Sequence, residues 1–144
     1  MKLRVMIVDD HKIFRQSLRY ILERDLKIEV VAEAGNGSEA IARAADTHPD
    51  IVCMDVHMPA LNGIETTYRL LADRPGIKVI GLSAYSIREY AQAMLDAGAV
   101  GYVTKGEAGD ELLRAIRAAA LGQIYLSEEI SAVMANTVPK VAAA

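Results

Sequence analysis

Short apolar segments alternate with longer amphipathic segments along most of the chain. The short segments are rich in valine and isoleucine and predict five strands. These strands are expected at residues 3–8, 29–32, 51–54, 79–82 and 100–103. The longer segments repeat apolar residues at helical spacing, as Phe14, Leu18, Ile21 and Leu22 do in the first of them. The pattern therefore predicts five strand–helix units.

Five such units in about a hundred residues predict a parallel sheet, because each crossover helix returns the chain to the same edge. Nearly continuous apolar strands are typical of a sheet that is covered by helices on both faces. We therefore expect a doubly wound α/β domain with the five-stranded, flavodoxin-like order 2-1-3-4-5. Gly98 and Gly122 follow two of the predicted helices, at positions where glycine commonly ends a helix.

A change of pattern after residue 124 predicts the end of the main domain. Residues 127–136 are expected to form a short sixth helix, with Ser127 as its N-cap and Glu128 and Glu129 in its first turn. Beyond Pro139 the sequence is typical of a linker. We therefore divide the chain into a domain over residues 1–124 and a short helix with a linker over residues 125–144.

The composition of the chain argues against several classes of protein. The 144 residues include 16 Lys and Arg against 19 Asp and Glu, and a net charge of −3 provides no basic surface for nucleic acid or anionic membranes. Cys53 is the only cysteine, which excludes a disulfide framework and a cysteine-based zinc cluster. Neither a signal peptide nor an apolar segment of spanning length is recognisable. The sequence predicts a cytoplasmic protein without a membrane partner.

Polar residues interrupt the apolar pattern at the carboxyl ends of the predicted strands. Asp9 and Asp10 follow the first strand, Asp55 the third, Ser83 the fourth and Lys105 the fifth. Ligands of doubly wound folds bind at this edge, beside the switch point between strands 1 and 3. Three carboxylates in one place favour a hard cation such as Mg²⁺. With a lysine and a hydroxyl donor nearby, the set predicts phosphoryl transfer to Asp55.

Each of these residues alone has an ordinary structural explanation. A single aspartate at a strand end is usually a turn former, a lone serine there usually caps the next helix, and a lone lysine is usually solvated. Their joint placement at four strand ends is what favours a site. The three histidines, His11, His48 and His57, are too scattered along the sequence to predict a metal cluster, and Cys53 is expected in the core.

The same residues resemble the receiver domain of bacterial response regulators. The resemblance covers about residues 3–122 and is carried by Val8-Asp9-Asp10-His11, Met54-Asp55-Val56-His57-Met58-Pro59 with Gly63, Leu82-Ser83-Ala84, and Gly101-Tyr102-Val103-Thr104-Lys105. It implies that a sensor histidine kinase phosphorylates Asp55. It further implies that Lys105 and Ser83 contact the phosphoryl group, and that Tyr102 changes rotamer with Ser83.

The resemblance also implies a magnesium site and a DNA-binding output domain. Mg²⁺ would be held by Asp10, Asp55 and the backbone carbonyl of His57, with Asp9 acting through water. The Asp9-Asp10-His11 opening and the segment Tyr125-Leu126-Ser127 resemble the nitrate and nodulation regulators, which carry a LuxR-type output domain. Phosphorylation would then alter the surface formed by helix 4, strand 5 and helix 5, favour a homodimer, and control a helix-turn-helix domain that is missing from this chain. DNA would be bound only through that domain.

Three alternatives to this interpretation remain open. A Mg²⁺-dependent phosphatase of the haloacid-dehalogenase type would carry a second acid two residues after its nucleophile, where this chain has His57. A flavin-binding module would need a phosphate loop after strand 1, where the carboxylates of Asp9 and Asp10 would repel a phosphate. A degenerate receiver that acts as a scaffold would not need the full set of site residues. We expect no enzymatic activity beyond self-phosphorylation and self-dephosphorylation.

Overall fold

The computed structural model describes residues 2–135, which form six strands, six helices and one 3₁₀ turn. The strands are β1 (Leu3–Val8), β2 (Ile28–Ala34), β3 (Ile51–Asp55), β4 (Lys78–Ser83), β5 (Gly101–Thr104) and β6 (Tyr125–Leu126). The helices are α1 (Lys12–Glu23), α2 (Gly37–Thr47), α3 (Gly63–Asp73), α4 (Arg88–Asp96), α5 (Ala108–Ala120) and α6 (Glu128–Ala135), and the 3₁₀ turn is Lys105–Glu107.

The six strands form one parallel sheet in the order β2-β1-β3-β4-β5-β6. This confirms the parallel, flavodoxin-like α/β fold, but the prediction of five strands was wrong. The additional strand β6 lies beside β5, where the Tyr125 N–H donates to the Val100 carbonyl and the Ser127 N–H to the Tyr102 carbonyl, both at 3.0 Å. Two residues are too short a segment for an alternating pattern to show, so only the pairing identifies this strand.

Both faces of the sheet are covered, and each has its own core. In β1, Val5 and Ile7 point to the face that α1 and α5 cover, while Met6 and Val8 point to the opposite face, packed by the remaining helices. All four side chains are fully buried. Among the helices that the structure describes, none combines the length and the apolar composition that crossing a bilayer requires.

Strand β3 lies in the middle of the sheet, and all five of its residues are buried. Its Cys53 is the chain's single cysteine, and burial raises the pKa of this thiol to about 12. The strand reaches the carboxyl edge with Asp55 as its last residue. The prediction that Cys53 lies in the core is therefore confirmed, and the same strand places Asp55 at the carboxyl edge of the sheet.

Glycines end two helices as predicted. Gly98 follows α4 with φ +110°, and Gly122 follows α5 with φ +76°. These are left-handed conformations that side-chain-bearing residues adopt only with strain. Both helices therefore end where the sequence indicates.

The segment after α5 continues the fold. Helix α6 begins after Ser127, whose Oγ accepts a hydrogen bond from the Ile130 N–H at 3.4 Å, as expected for an N-cap. The helix spans Glu128–Ala135, which agrees with the predicted sixth helix up to residue 135. That residue and the predicted linker, with Pro139 and the residues after it, lie outside the described residues.

Candidate functional site

The predicted site residues lie at the carboxyl edge of the sheet. Asp9 and Asp10 follow β1, Asp55 ends β3, and Lys105 begins the 3₁₀ turn after β5. The Lys105 ammonium lies 2.6 Å from Asp9 Oδ2 and 3.3 Å from Asp55 Oδ2. One lysine thus contacts two carboxylates that are themselves almost inaccessible, Asp9 being 0 % and Asp55 1 % exposed.

The environment of Asp55 controls its protonation. Burial raises the pKa of this carboxyl to about 6, and the negative charge of Asp9 acts in the same direction. Lys105 and the His57 N–H, which donates to Asp55 Oδ1 at 3.1 Å, partly offset this rise in pKa. Burial and Asp9 thus disfavour the charged form of Asp55, and Lys105 compensates its charge only in part.

Asp10 completes an acidic cluster, which His11 joins. The cluster contains four possible ligand atoms that all lie within 4.8 Å of one another, one each from Asp9, Asp10, His11 and Asp55. His11 Nδ1 lies 3.1 Å from both Asp9 Oδ1 and Asp10 Oδ1. Three carboxylates outweigh the charge of the single lysine, so this donor set fits a divalent cation with a preference for oxygen.

Sequence reasoning missed the position of His11. The three histidines are far apart in the sequence, but His11 lies with the aspartates in the structure. Its backbone N–H also donates to Asp9 Oδ1 at 2.8 Å, which turns the chain into α1. The signal was available, because His11 directly follows Asp9-Asp10 and precedes the first helical residue.

Phe14 is a second residue whose contact was not predicted. Its ring lies beneath the Lys105 ammonium, with 4.9 Å between the nitrogen and the ring centroid. A cation over an aromatic face is attracted by the ring quadrupole. Phe14 was interpreted only as part of the apolar stripe of α1, and the structure adds that it packs against the site lysine.

Ser83 ends β4, beside the strand that carries Asp55. Its side chain is fully buried, and its Oγ accepts a hydrogen bond from the Tyr85 N–H at 3.0 Å. Asp55 pairs in register with Leu82, so Ser83 lies one residue beyond that pair. The serine side chain therefore stabilises the β4–α4 connection next to the acidic cluster.

Tyr102 lies deeper in the fold, on β5. Its side chain is fully buried, and burial raises the pKa of its phenol. The neighbouring position on β4 is Gly81, where an added Cβ would lie 3.2 Å from a Met94 side-chain carbon and 3.7 Å from the Tyr102 ring. The tyrosine therefore occupies the inward position between the sheet and α4.

The β3–α3 connection holds His57 beside the aspartates. The Gly63 N–H donates to the Val56 carbonyl at 3.0 Å, and a Cβ at Gly63 would lie 2.0 Å from the Asp55 carbonyl oxygen. Only glycine fits there without displacing the chain. The His57 ring packs edge-on against Tyr90 and Tyr85, with centroids 4.5 and 5.2 Å apart, and burial lowers the pKa of His57.

An open cleft of about 420 Å³ borders the cluster. It is lined by both polar and apolar side chains, among them Asp10, His57, Met58, Asn62, Ile64 and Tyr90. Asp10 is the aspartate of the cluster that lines this cleft.

Comparison with known proteins agrees with this geometry. The family model of the response regulator receiver domain matches residues 5–117. The chain belongs to this family. The matched residues include Asp9, Asp10, Asp55, Ser83 and Lys105. Membership supports the interpretation as a receiver domain of a two-component response regulator and gives no support to the alternatives.

Relatives and solved structures are similar over most of the chain. It is 38 % identical over 129 residues to the response regulator GacA of Pseudomonas viridiflava, and the match covers 90 % of this chain and 60 % of that protein. It is 34 % identical over 130 residues to the transcriptional regulatory protein DegU of Brevibacillus brevis, covering 90 % and 55 %. A LuxR-family two-component response regulator from Aurantimonas sp. SI85-9A1 superposes with a TM-score of 0.91 at 35 % identity, covering 98 % of this chain and 99 % of that one. The chain thus spans about 60 % or less of the two curated relatives.

Proposed function

We propose that this protein is a phosphorylation-controlled signalling switch in which Asp55 accepts a phosphoryl group from a sensor histidine kinase. The observation that supports it best is the Asp55 carboxylate, buried at the sheet edge beside Asp9 and Lys105. One Asp55 oxygen would attack the phosphorus of the donor while the bond from phosphorus to the leaving atom breaks, and the leaving group would depart with the electron pair of that bond. The product is an acyl phosphate.

Mg²⁺ is the cation we propose for the acidic cluster. Asp10 and Asp55 would bind it directly together with the backbone carbonyl of His57, and Asp9 would act through water. When bound, the ion would neutralise charge on the phosphoryl oxygens. The excess of carboxylates over lysine in the cluster supports this assignment, since hard cations prefer oxygen ligands.

Lys105 and Ser83 are proposed to contact the phosphoryl group. Lys105 already contacts the Asp55 carboxylate, so a phosphoryl group on that carboxylate would bring new anionic oxygens within its reach. Ser83 ends the neighbouring strand, from which its hydroxyl would turn to donate a hydrogen bond. Both contacts favour the phosphorylated form, and the second displaces the β4–α4 connection.

Mass spectrometry after incubation with acetyl phosphate and Mg²⁺ tests this proposal. We expect one added phosphoryl group in the wild type and none in Asp55→Asn, because the amide is not a nucleophile of comparable strength. Asp46→Asn, which changes an exposed aspartate on α2, is the matched control and should be phosphorylated normally. A modification that persists in Asp55→Asn would contradict the assignment of the phosphoacceptor.

The biological output is proposed from the relatives. One of them is a transcriptional regulatory protein and one solved neighbour is a LuxR-family regulator. We propose that residues 1–124 are the receiver domain and that residues 125–144 lead toward a DNA-binding output domain, through which alone DNA is bound. The protein would act in the cytoplasm and catalyse only its own phosphorylation and dephosphorylation.

Phosphorylation is further proposed to favour a homodimer through the surface of α4, β5 and α5. Beryllofluoride, a phosphoryl mimic, should raise self-association modestly and reversibly, which sedimentation velocity would measure. Tyr102→Ala and Ser83→Ala should weaken this response while Asp55 can still be phosphorylated, because Ser83 ends the strand next to that of Asp55 and Tyr102 lies on β5, within that surface. Unchanged association of the wild type would contradict the dimer proposal.

A further inference from the structure

Helix α6 packs against the same part of the molecule that carries Ser83 and Tyr102. Its Ile130 is fully buried and belongs to the core on the face of α4, together with Met94 and Tyr102. Met134, one helical turn further on, is partly buried against this core. Hydrophobic burial therefore places α6 on α4 and β5, on the surface that the proposed function expects to change.

A polar contact fixes the first turn of α6 to two strand ends. The Ser86 hydroxyl, in the β4–α4 connection, donates to Glu129 Oε1. The Thr104 hydroxyl, at the end of β5, lies 3.5 Å from Glu129 Oε2. Ser86 follows Ser83 by three residues and Thr104 precedes Lys105 by one. The Glu129 carboxylate thus bridges the two segments that carry the proposed phosphoryl contacts.

The Tyr102 ring is already fully buried, so phosphorylation cannot act by rotating this ring inward. We therefore expect the structural change to occur in the β4–α4 connection. Because β4 lies between β3 and β5, a pull on Ser83 toward Asp55 draws this connection away from β5 and from α6. Ser86 moves with it, since the Ser83 hydroxyl accepts from the Tyr85 N–H in the same connection.

We propose that Glu129 couples phosphorylation of Asp55 to the docking of α6: the bond from Ser86 holds the helix against the receiver, and phosphorylation breaks this bond and loosens the helix. This inference rests on the proposed function of Asp55. Strand β6 stays in place, because its hydrogen bonds to β5 involve neither Glu129 nor Ser86. Glu129 is a positioning residue, and the segment that it controls is the helix after the receiver sheet.

Amide hydrogen exchange measured by NMR on the whole chain tests the coupling. With Mg²⁺ and beryllofluoride, compared with Mg²⁺ alone, amides of α6 should exchange about three- to tenfold faster, the range expected for the loss of one hydrogen bond. The amides of Tyr125 and Ser127, which donate to the carbonyls of Val100 and Tyr102, should not change. Chemical-shift changes at Asp55 and His57 would report separately that the mimic has bound.

Two variants and one matched control separate this bond from other effects. Glu129→Ala and Ser86→Ala should each exchange rapidly at α6 before the mimic is added and respond little to it. Glu128→Ala removes the same negative charge from the first turn but none of these bonds, so it should keep the wild-type response. Combining Glu129→Ala with Ser86→Ala should add little to either change alone.

The outcomes are distinguishable. If the mimic binds at Asp55 and α6 exchange is unchanged or slower, the coupling is refuted and the proposed function stands. If Glu128→Ala loses the response as Glu129→Ala does, the effect belongs to the charge of the helix terminus and the role of Glu129 is refuted. If the mimic does not bind, the proposed function and the coupling both fail.

Discussion

Two cationic side chains of this molecule pair with carboxylates in opposite surroundings. At the carboxyl edge, Lys105 is 15 % exposed and pairs with Asp9 and Asp55, which are buried. On the outer surface, Arg117 of α5 is 61 % exposed and its guanidinium lies 3.0 Å from Asp25, in the α1–β2 connection. The carboxylates respond differently to having a cation nearby.

The two pKa shifts have opposite signs. The pKa of Asp25 is lowered, first by the hydrogen bond from the Lys27 N–H and then by Arg117. The pKa of Asp55 is raised to about 6, because burial and the charge of Asp9 outweigh the attraction of Lys105. A cation therefore stabilises a carboxylate fully only where water or backbone donors complete its solvation. The site retains negative charge that a bound cation would neutralise.

Removal of the site lysine should have the largest effect. Lys105→Ala leaves Asp9 and Asp55 facing each other without a cation, and we expect a loss of about 3 kcal/mol in the free energy of unfolding at pH 8. The loss should be smaller at pH 5, because Asp55 can then be protonated. Urea denaturation in metal-free buffer at the two pH values measures both.

Arg117→Ala is the matched control for that experiment. It removes a cation from an exposed pair, for which less than about 1 kcal/mol is expected, with little dependence on pH between 5 and 8. Equal losses in Lys105→Ala and Arg117→Ala would show that burial does not distinguish the two pairs.

Magnesium should sharpen the same contrast. At about one hundred times its dissociation constant, an ion that binds only the folded state adds about 2.7 kcal/mol to the free energy of unfolding. We expect Mg²⁺ to raise the melting temperature of the wild type and to raise that of Asp10→Asn much less, because a direct ligand is lost. Calorimetry with Mg²⁺ and with EDTA compares them, and equal shifts in both proteins would argue against the metal assignment.

The raised pKa of Asp55 predicts a smaller, pH-dependent effect. Between the ordinary carboxyl pKa of 3.8 and the folded value of about 6, the folded state binds more protons than the unfolded state. Stability therefore falls as the pH rises through this window, by on the order of 2 kcal/mol from this group. In metal-free buffer, the difference in unfolding free energy between the wild type and Asp55→Asn should change by this amount from pH 4 to 6.5. A constant difference would mean that Asp55 is not destabilised by burial.

The strand ends were predictable because polar residues interrupt an apolar pattern there. Asp9, Asp55, Ser83 and Lys105 each follow or end an apolar run, and the parallel topology brings such ends to one edge. The clustering of these four side chains could therefore be predicted from the topology alone, without knowledge of any interatomic distance. The same reasoning predicted the N-cap at Ser127, since capping depends on neighbours in the sequence.

Some contacts could not be predicted, because the residues are far apart in the sequence or because their positions already had another explanation. Glu129 meets Ser86 across 43 positions in the sequence, and no local pattern marks either as a partner. Phe14 fitted the apolar stripe of α1, so its contact with Lys105 gave no separate signal. Strand β6 was missed because its formation depends on pairing with β5 rather than on its own two residues.

The single cysteine has a practical consequence for labelling. Cys53 lies two residues before Asp55, is fully buried, and has a thiol pKa of about 12, so very little thiolate is available to react at neutral pH. A maleimide dye or spin label will therefore modify a cysteine introduced on the exposed side of α6, for example at Ser131, without removal of the native one. The core that carries the phosphoacceptor can stay unaltered while probes report distances across the surface.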